Sequence, residues 1–128
     1  MNHTKHLGKI LVIMAAFGLL LGCVSAEVME VRQLSITHID LQRTKDGLYD
    51  GDFTYGNYTY VVKVTVLNHK IEKNDIVNNR DTGPAKAAEG VIPRVIEQQK
   101  NDVDAVSGAT TTSKALLKAI EKALQKAL

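Results

Sequence analysis

The chain reads as an α+β domain: an antiparallel β-meander packed against helices and closed by a C-terminal amphipathic helix. Three observations lead there. Residues 58–67, Tyr-Thr-Tyr-Val-Val-Lys-Val-Thr-Val-Leu, are β-branched or aromatic almost throughout and contain no breaker. Turn-forming pairs, Gly56-Asn57 and Asn68-His69, separate this run from extended stretches on either side, a spacing that suits neighbouring antiparallel strands. Lys114–Leu128 repeats apolar residues at helical intervals.

The first residues have the layout of a targeting segment. Lys5 and Lys9 precede an apolar run, Ile10–Leu21, that is short for a membrane span. The run ends in Leu20-Leu21-Gly22-Cys23. This resembles the bacterial lipobox, in which a small residue precedes a cysteine that receives diacylglycerol and becomes the new N-terminus. Residues 1–22 are then expected to be a lipoprotein signal peptide and Cys23 the lipidated residue. Ordinary cleavage near Val24-Ser25-Ala26, or an uncleaved anchor helix, are the other readings. Cys23 is the sole cysteine, so no internal disulfide and no Cys-rich metal or iron–sulfur site can form.

The formal charge of +2 comes from the segment before Cys23. Removing Lys5 and Lys9 leaves a neutral remainder, because every Asp and Glu lies after Cys23. A nucleic-acid footprint is therefore not supported. Trp is absent and aromatics make up 5% of the chain, which also argues against base-stacking platforms. What remains is enough for one modest domain.

Residues 23–45 read as a tether and lead-in segment, with residues 46–128 as the domain. In the lead-in, Leu34, Ile36 and His38 alternate with polar residues, but a short helix fits equally well. His38 and His69 are expected in solvated or locally hydrogen-bonded positions, since no further ligand sits at a useful spacing for a metal. Asp46-Gly47 signals a turn. Strands are expected over Leu48–Tyr55, Tyr58–Leu67 and Lys70–Val77. In the second strand Tyr58, Tyr60, Val62, Val64 and Val66 share one face, with Lys63 and Thr65 on the other. Asn78–Pro84 is a polar loop whose Pro84 suits a first helical turn. Ala85, Ala88, Ile92, Val95 and Ile96 follow at helical spacing. Gly90 and Pro93 interrupt them, so two short pieces or a kink are expected. Gln98–Asp102 is polar, and Val103–Val106 reads as a brief strand or an extended lead into the next stretch. In the last helix Leu116, Leu117, Ile120, Leu124 and Ala127 form the apolar stripe. Lys114, Lys118, Glu121, Lys122, Gln125 and Lys126 are expected opposite it, as a solvated face in preference to a membrane-surface one.

The stretch Asp104-Ala105-Val106-Ser107-Gly108-Ala109-Thr110-Thr111-Thr112-Ser113 concentrates the chemistry. It is small, hydroxyl-rich and broken by glycine, and it leads into the best helix of the chain. A helix N-terminus presents unpaired N–H groups and the positive end of its dipole to an anion. Gly108 and Ala109 would let a bulky planar group approach the backbone. These residues suggest a phosphate resting at a helix start, with several hydroxyls in reach. The same composition also fits an ordinary cap by Thr112 or Ser113 after a linker.

Asp104-Ala105-Val106-Ser107-Gly108-Ala109-Thr110, with Thr112-Ser113 after it, closely resembles the flavinylation motif of the FMN-binding domain family. That family includes the covalently flavinylated subunits of sodium-pumping NADH:quinone oxidoreductase. Asp46-Gly47-Leu48-Tyr49-Asp50-Gly51, ahead of a Val-rich strand, is similar to the front of the same domain. The resemblance implies covalent FMN, joined by a phosphoester to Thr110. The surrounding Asp104, Ser107, Gly108, Ala109, Thr111, Thr112 and Ser113 would form its site. A separate flavin transferase would make the bond from FAD. By the family pattern Asp104 helps position the acceptor; as a residue it also reads as a solvated turn carboxylate, expected to point away from the phosphate. Asp81-Thr82 is a second candidate contact, and Tyr58 or Tyr60 could stack on the flavin ring.

No Ser-His-Asp or Cys-His arrangement is legible, and a Thr hydroxyl is a weak nucleophile without help. Thr110 therefore reads as an acceptor modified by another enzyme, with no catalytic residue and no metal site assigned. The leading expectation is an extracytoplasmic flavoprotein, lipid-anchored to a bacterial membrane. It would carry electrons between membrane electron-transfer proteins and an acceptor. A flavin-dependent reductase, or its electron-donating subunit, is the first alternative, and a non-redox lipoprotein the second.

Overall fold

A computed structural model describes residues 28–128. The expected signal peptide, residues 1–22, and Cys23 lie outside the described residues. The chain divides into two compact units at Gln33/Leu34. In the first, residues 28–32 are helical (α1).

The second unit, Leu34–Leu128, holds a three-stranded antiparallel sheet in the order β1-β2-β3. The strands are β1 (Gly47–Tyr55), β2 (Tyr58–Leu67) and β3 (Lys70–Asn78). Helices follow as α2 (Gly83–Ala88), α3 (Val91–Gln98) and α4 (Thr110–Lys126). This is the α+β arrangement expected from the sequence. Both hairpins turn where expected, with tight loops at Gly56-Asn57 and Asn68-His69. Asn68 (φ 50°) and His69 (φ 61°) are both left-handed, as a two-residue turn of this twist requires. β1 pairs with β2 without interruption from Gly47↔Val66 to Tyr55↔Tyr58. The β2–β3 ladder shifts register at two places, Val61/Val62 and Thr65/Val66.

The period of two in β2 decides the core. Tyr60, Val62, Val64 and Val66 are buried while the residues between them are half-exposed. α4 lies on this face, against β1 and β2, and buries Leu116, Leu117, Ile120 and Leu124 completely. The closest approach is at Gly51, where a Cβ would stand 1.9 Å from the Ala119 carbonyl oxygen and 2.7 Å from the Ala123 nitrogen. Only a glycine lets α4 sit this low on β1.

The interrupted helical stretch is indeed two helices. The break falls at Gly90, whereas Pro93 is accommodated in the first turn of α3, where a missing N–H costs nothing. Pro84 sits in the first turn of α2 behind the N-cap Thr82.

The lead-in belongs to no helix or strand from Leu34 to Asp40 and then makes a 3-10 turn, Leu41–Arg43. Side chains, not a backbone ladder, hold it. Asn101, fully buried, accepts from the Ile39 N–H (2.9 Å) and donates to the Thr37 carbonyl (2.6 Å). Glu121 accepts from the Thr37 N–H at 3.0 Å.

That last contact corrects one expectation. Glu121 is not on a solvated face. It is 3% exposed and bound by Lys118 Nζ (3.0 Å) as well as by the lead-in. The helical pattern places it beside Lys118 and Gln125, but the segment Ser35–Thr37 covers that side of α4: the Thr37 N–H donates to the carboxylate and the Ser35 carbonyl accepts from Lys118 Nζ.

Candidate functional site

The hydroxyl-rich stretch occupies the junction between α3 and α4. Three small apolar residues anchor it. Val103 and Ala109 are buried at 5% exposure, and Val106 packs partly against the core between them. The residues between these anchors, Asp104, Ser107 and Gly108, are exposed. Residues 102–106 belong to no helix or strand.

The chain then turns through Ser107-Gly108. Gly108 has φ +78°, a conformation costly for any other residue, and a Cβ there would meet nothing within 4 Å. Glycine is thus required by the turn, and it leaves open space above the backbone. The Ala109 N–H closes the turn on the Val106 carbonyl at 3.0 Å.

α4 starts at Thr110, earlier than the expected Lys114. Thr110, Thr111 and Thr112 fill its first turn, where N–H groups have no intrahelical acceptor and β-branched hydroxyl residues cost little. The expected cap at Thr112 or Ser113 is also corrected: the N-cap is Ala109, which has no side-chain cap hydrogen bond. Ser113 lies deeper. It is fully buried, and its Oγ accepts from the Val106 N–H at 3.1 Å, tying the loop to the helix. This bond gives Ser113 a structural duty and removes it as an accessible acceptor. Thr110, Thr111 and Thr112 stay half-buried at the surface. The first turn contains no acidic residue, so the positive end of the α4 dipole is unopposed locally.

A residue with no sequence signal holds the loop from the other side. Arg94, on α3, donates from Nη1 to the Asp104 carbonyl (2.9 Å) and to the Ala105 carbonyl (3.1 Å). The α2–α3 corner also touches the loop, since a Cβ on Gly90 would lie 3.2 Å from Val106 Cγ2. Arg94 is the only basic residue between Lys86 and Lys100, a faint hint at best.

The second candidate segment is used structurally. Thr82 Oγ1 accepts from the Ala85 N–H at 3.2 Å as the cap of α2, and Asp81 pairs with Lys86 at 3.1 Å. Of the two tyrosines, Tyr60 is 1% exposed and its hydroxyl accepts from Arg80 Nε at 3.0 Å, so its ring is not available for stacking. The Arg80 guanidinium lies 4.7 Å from the centroid of Tyr58 and covers that ring.

The histidines sit elsewhere. His38 Nδ1 meets Asp102 Oδ1 at 3.0 Å, and this hydrogen bond, first among the causes, holds the Asp102 carboxyl below its ordinary range. His69 Nδ1 meets the Leu41 carbonyl at 3.3 Å. Two clefts of about 300 Å³ lie near these residues, one lined by His38, Asp40 and His69, the other by Leu67, Asn68 and Glu72. No residue of the hydroxyl-rich stretch lines either one. Among the described residues no group of three or more His, Cys, Asp or Glu could hold a metal ion, and no helix is long and apolar enough to cross a membrane.

The site can therefore do one thing well. It offers half-buried threonines and the positive end of the α4 dipole to a phosphate, beside a backbone that leaves room for a planar group. That donor set fits the phosphate of FMN, and Gly108 leaves the space a side chain would otherwise take.

Comparison with known proteins agrees. A protein of Treponema pallidum (strain Nichols), described as an uncharacterized protein, is 39% identical over 83 residues. The matched stretch covers 63% of this chain and 23% of the relative, so the chain spans about a quarter of that protein's length. The family model described as FMN-binding domain matches residues 53–125, from β1 to the last turns of α4. The chain belongs to the FMN-binding domain family.

Proposed function

We propose that this protein carries FMN covalently on Thr110 and serves as an electron carrier tethered outside the cytoplasm. Membership of the family supports flavin binding and a role in electron transfer. The observation that carries the finer reading is the start of α4: a threonine hydroxyl at its first position, no side-chain cap, no acidic neighbour in the first turn, and the open turn at Gly108 just before it.

In this reading Thr110 is the acceptor, and a separate transferase supplies activation. Thr110 Oγ attacks the phosphorus on the FMN side of FAD. The diphosphate P–O bond breaks and AMP leaves. The hydroxyl proton passes to a base of the transferase. The start of α4, with its dipole, would then hold the phosphodiester's remaining negative charge. When bound, FMN supplies the reversible electron uptake that protein side chains cannot. The chain's task is to hold the phosphate end rigidly while the ring stays accessible. A site whose threonines are half-buried beside an open turn suits exchange with a partner better than chemistry on a sequestered substrate.

The tether belongs to the same proposal. Residues 1–22 act as a signal peptide, Cys23 carries lipid, residues 23–45 space the domain, and residues 46–128 bind the flavin. A covalent link is useful in that setting, because a flavin that dissociated outside the cell would be lost. The donor and acceptor are then membrane electron-transfer proteins and a partner reached from the membrane surface.

Co-expression with a flavin transferase tests this. The purified protein should fluoresce under denaturing electrophoresis and gain the mass of one FMN less one water. Thr110→Ala should do neither. A colourless wild-type protein, made beside a transferase that modifies a control substrate, would remove the covalent reading.

A further inference from the structure

We propose that Arg94 is a positioning residue for the acceptor hydroxyl, an inference that rests on the assignment of Thr110 above. The argument starts from what fixes the loop. Between Asn101 and Thr110 the chain has no ladder partner, so its backbone groups depend on side chains. Ser113 takes the Val106 N–H, and Arg94 takes the two carbonyls before it, those of Asp104 and Ala105. Three consecutive residues are thus clamped from two helices, and the Ala109 N–H bonds the last of them, Val106. Ala109 is the N-cap from which Thr110 continues. Shifting the Arg94 end of this chain of contacts shifts the turn that aims the hydroxyl.

The chemistry of Arg94 suits the duty. A guanidinium donates several N–H groups in a fixed plane, whereas an ammonium on a flexible stem is a point donor. Both bonds use Nη1. Among the described residues no carboxylate lies within ion-pair distance of Arg94, so its charge is not neutralised by a partner. An uncompensated cation held on the acceptor loop also favours approach of an anionic phosphate donor. Group transfer is sensitive to small errors of placement, so a loosened loop slows the reaction even in a well-folded protein.

The test compares the rate of FMN transfer to full-length protein, with purified transferase and FAD, in four forms. Wild type sets the reference. Arg94→Met keeps the aliphatic stem and loses both bonds and the charge; it should slow transfer on the order of 10- to 100-fold. Arg94→Lys keeps the charge without the planar donor group and should fall between. Val95→Ala loosens the core from the adjacent, fully buried position on the same helix and leaves the Arg94 side chain in place, and should transfer near the wild-type rate below its melting transition. Hydrogen exchange gives a readout independent of flavin: Arg94→Met should expose the Val106 amide while amides in β2 stay protected. Equal rates for wild type and Arg94→Met would overturn the inference and leave the Thr110 assignment standing. Equal slowing in Val95→Ala would overturn it as well, since general destabilisation would then explain the loss. A wild-type protein that accepts no FMN would instead sink the assignment; unchanged exchange at Val106 would then overturn the clamp independently.

Discussion

The two ends of α4 are built on opposite terms. From Ala115 to Leu124 the helix is packed without slack, with Ala119 and Ala123 over Gly51 and four large side chains at zero exposure. At Thr110–Thr112 the same helix is half-exposed, has no side-chain cap and follows a left-handed glycine with open space above it. Burial at one end stabilises the domain by roughly 1.5–3 kcal/mol for each large apolar side chain. At the other end, the helix begins without a side-chain cap, beside the open space at Gly108. The difference teaches where to look for function: in the part of a well-packed element that has been left unfinished.

Substitutions at the packed end should cost most. Gly51→Ala places a Cβ 1.9 Å from the Ala119 carbonyl oxygen, a backbone atom that cannot swing away. In an open strand this change would be neutral or slightly stabilising. Here α4 must rise off β1, so about 3 kcal/mol of stability should be lost, read as a lower midpoint in urea unfolding. A midpoint equal to wild type would mean that the close contact between helix and strand does not exist.

Glu121 lies within the packed end, as its buried charged residue. Glu121→Ala removes the acceptor of the Thr37 N–H and the partner of Lys118. Breaking a fully buried pair typically costs about 3–5 kcal/mol. Lys118 keeps 22% exposure and can turn to water, so about 2 kcal/mol is expected. Glu121→Gln, which retains an acceptor for Thr37, should recover part of it.

The smallest effect belongs to Asp102, beside His38. Its folded-state pKa is lowered chiefly by the His38 hydrogen bond, so its contribution is present above the ordinary carboxylate value of 3.8 and is lost as pH falls through the lowered value. Both side chains are well exposed, at 59% and 36%, so water and salt screen the pair. Asp102→Asn should cost no more than a few tenths of a kcal/mol at neutral pH. The gap to wild type should close in acid and shrink with added salt. A gap that widened in acid would contradict the assigned direction.

Much of this was legible in the residues, and the reasons are local. β2 announces itself because alternation of Val and Tyr with Lys and Thr is a pattern of period two that only a half-buried strand satisfies. The Leu stripe of α4 and the break at Gly90 are legible for the same reason. The start of α4 was not, since Thr-Thr-Thr-Ser has loop-like propensity and is helical only because first-turn N–H groups need no intrahelical partner. Glu121 and Asn101 escaped because each acts on backbone far away in sequence, and Arg94 because it reaches carbonyls of a loop that has no periodic pattern. Thr37 lies 84 positions from Glu121, and no spacing rule reaches that far. Around the acceptor, burial excludes Ser113, but Thr110, Thr111 and Thr112 share one class of exposure. The choice of Thr110 among them rests on the family motif and on its place as first residue of the helix.

That choice is open to direct measurement. Trypsin should release the peptide Asn101–Lys114 from protein made beside an active flavin transferase, and fragmentation by tandem mass spectrometry can place the added group. FMN on Thr110, with Thr111, Thr112 and Ser113 unmodified, is the expected result. FMN on any of those three, or an unmodified peptide throughout, would contradict the account.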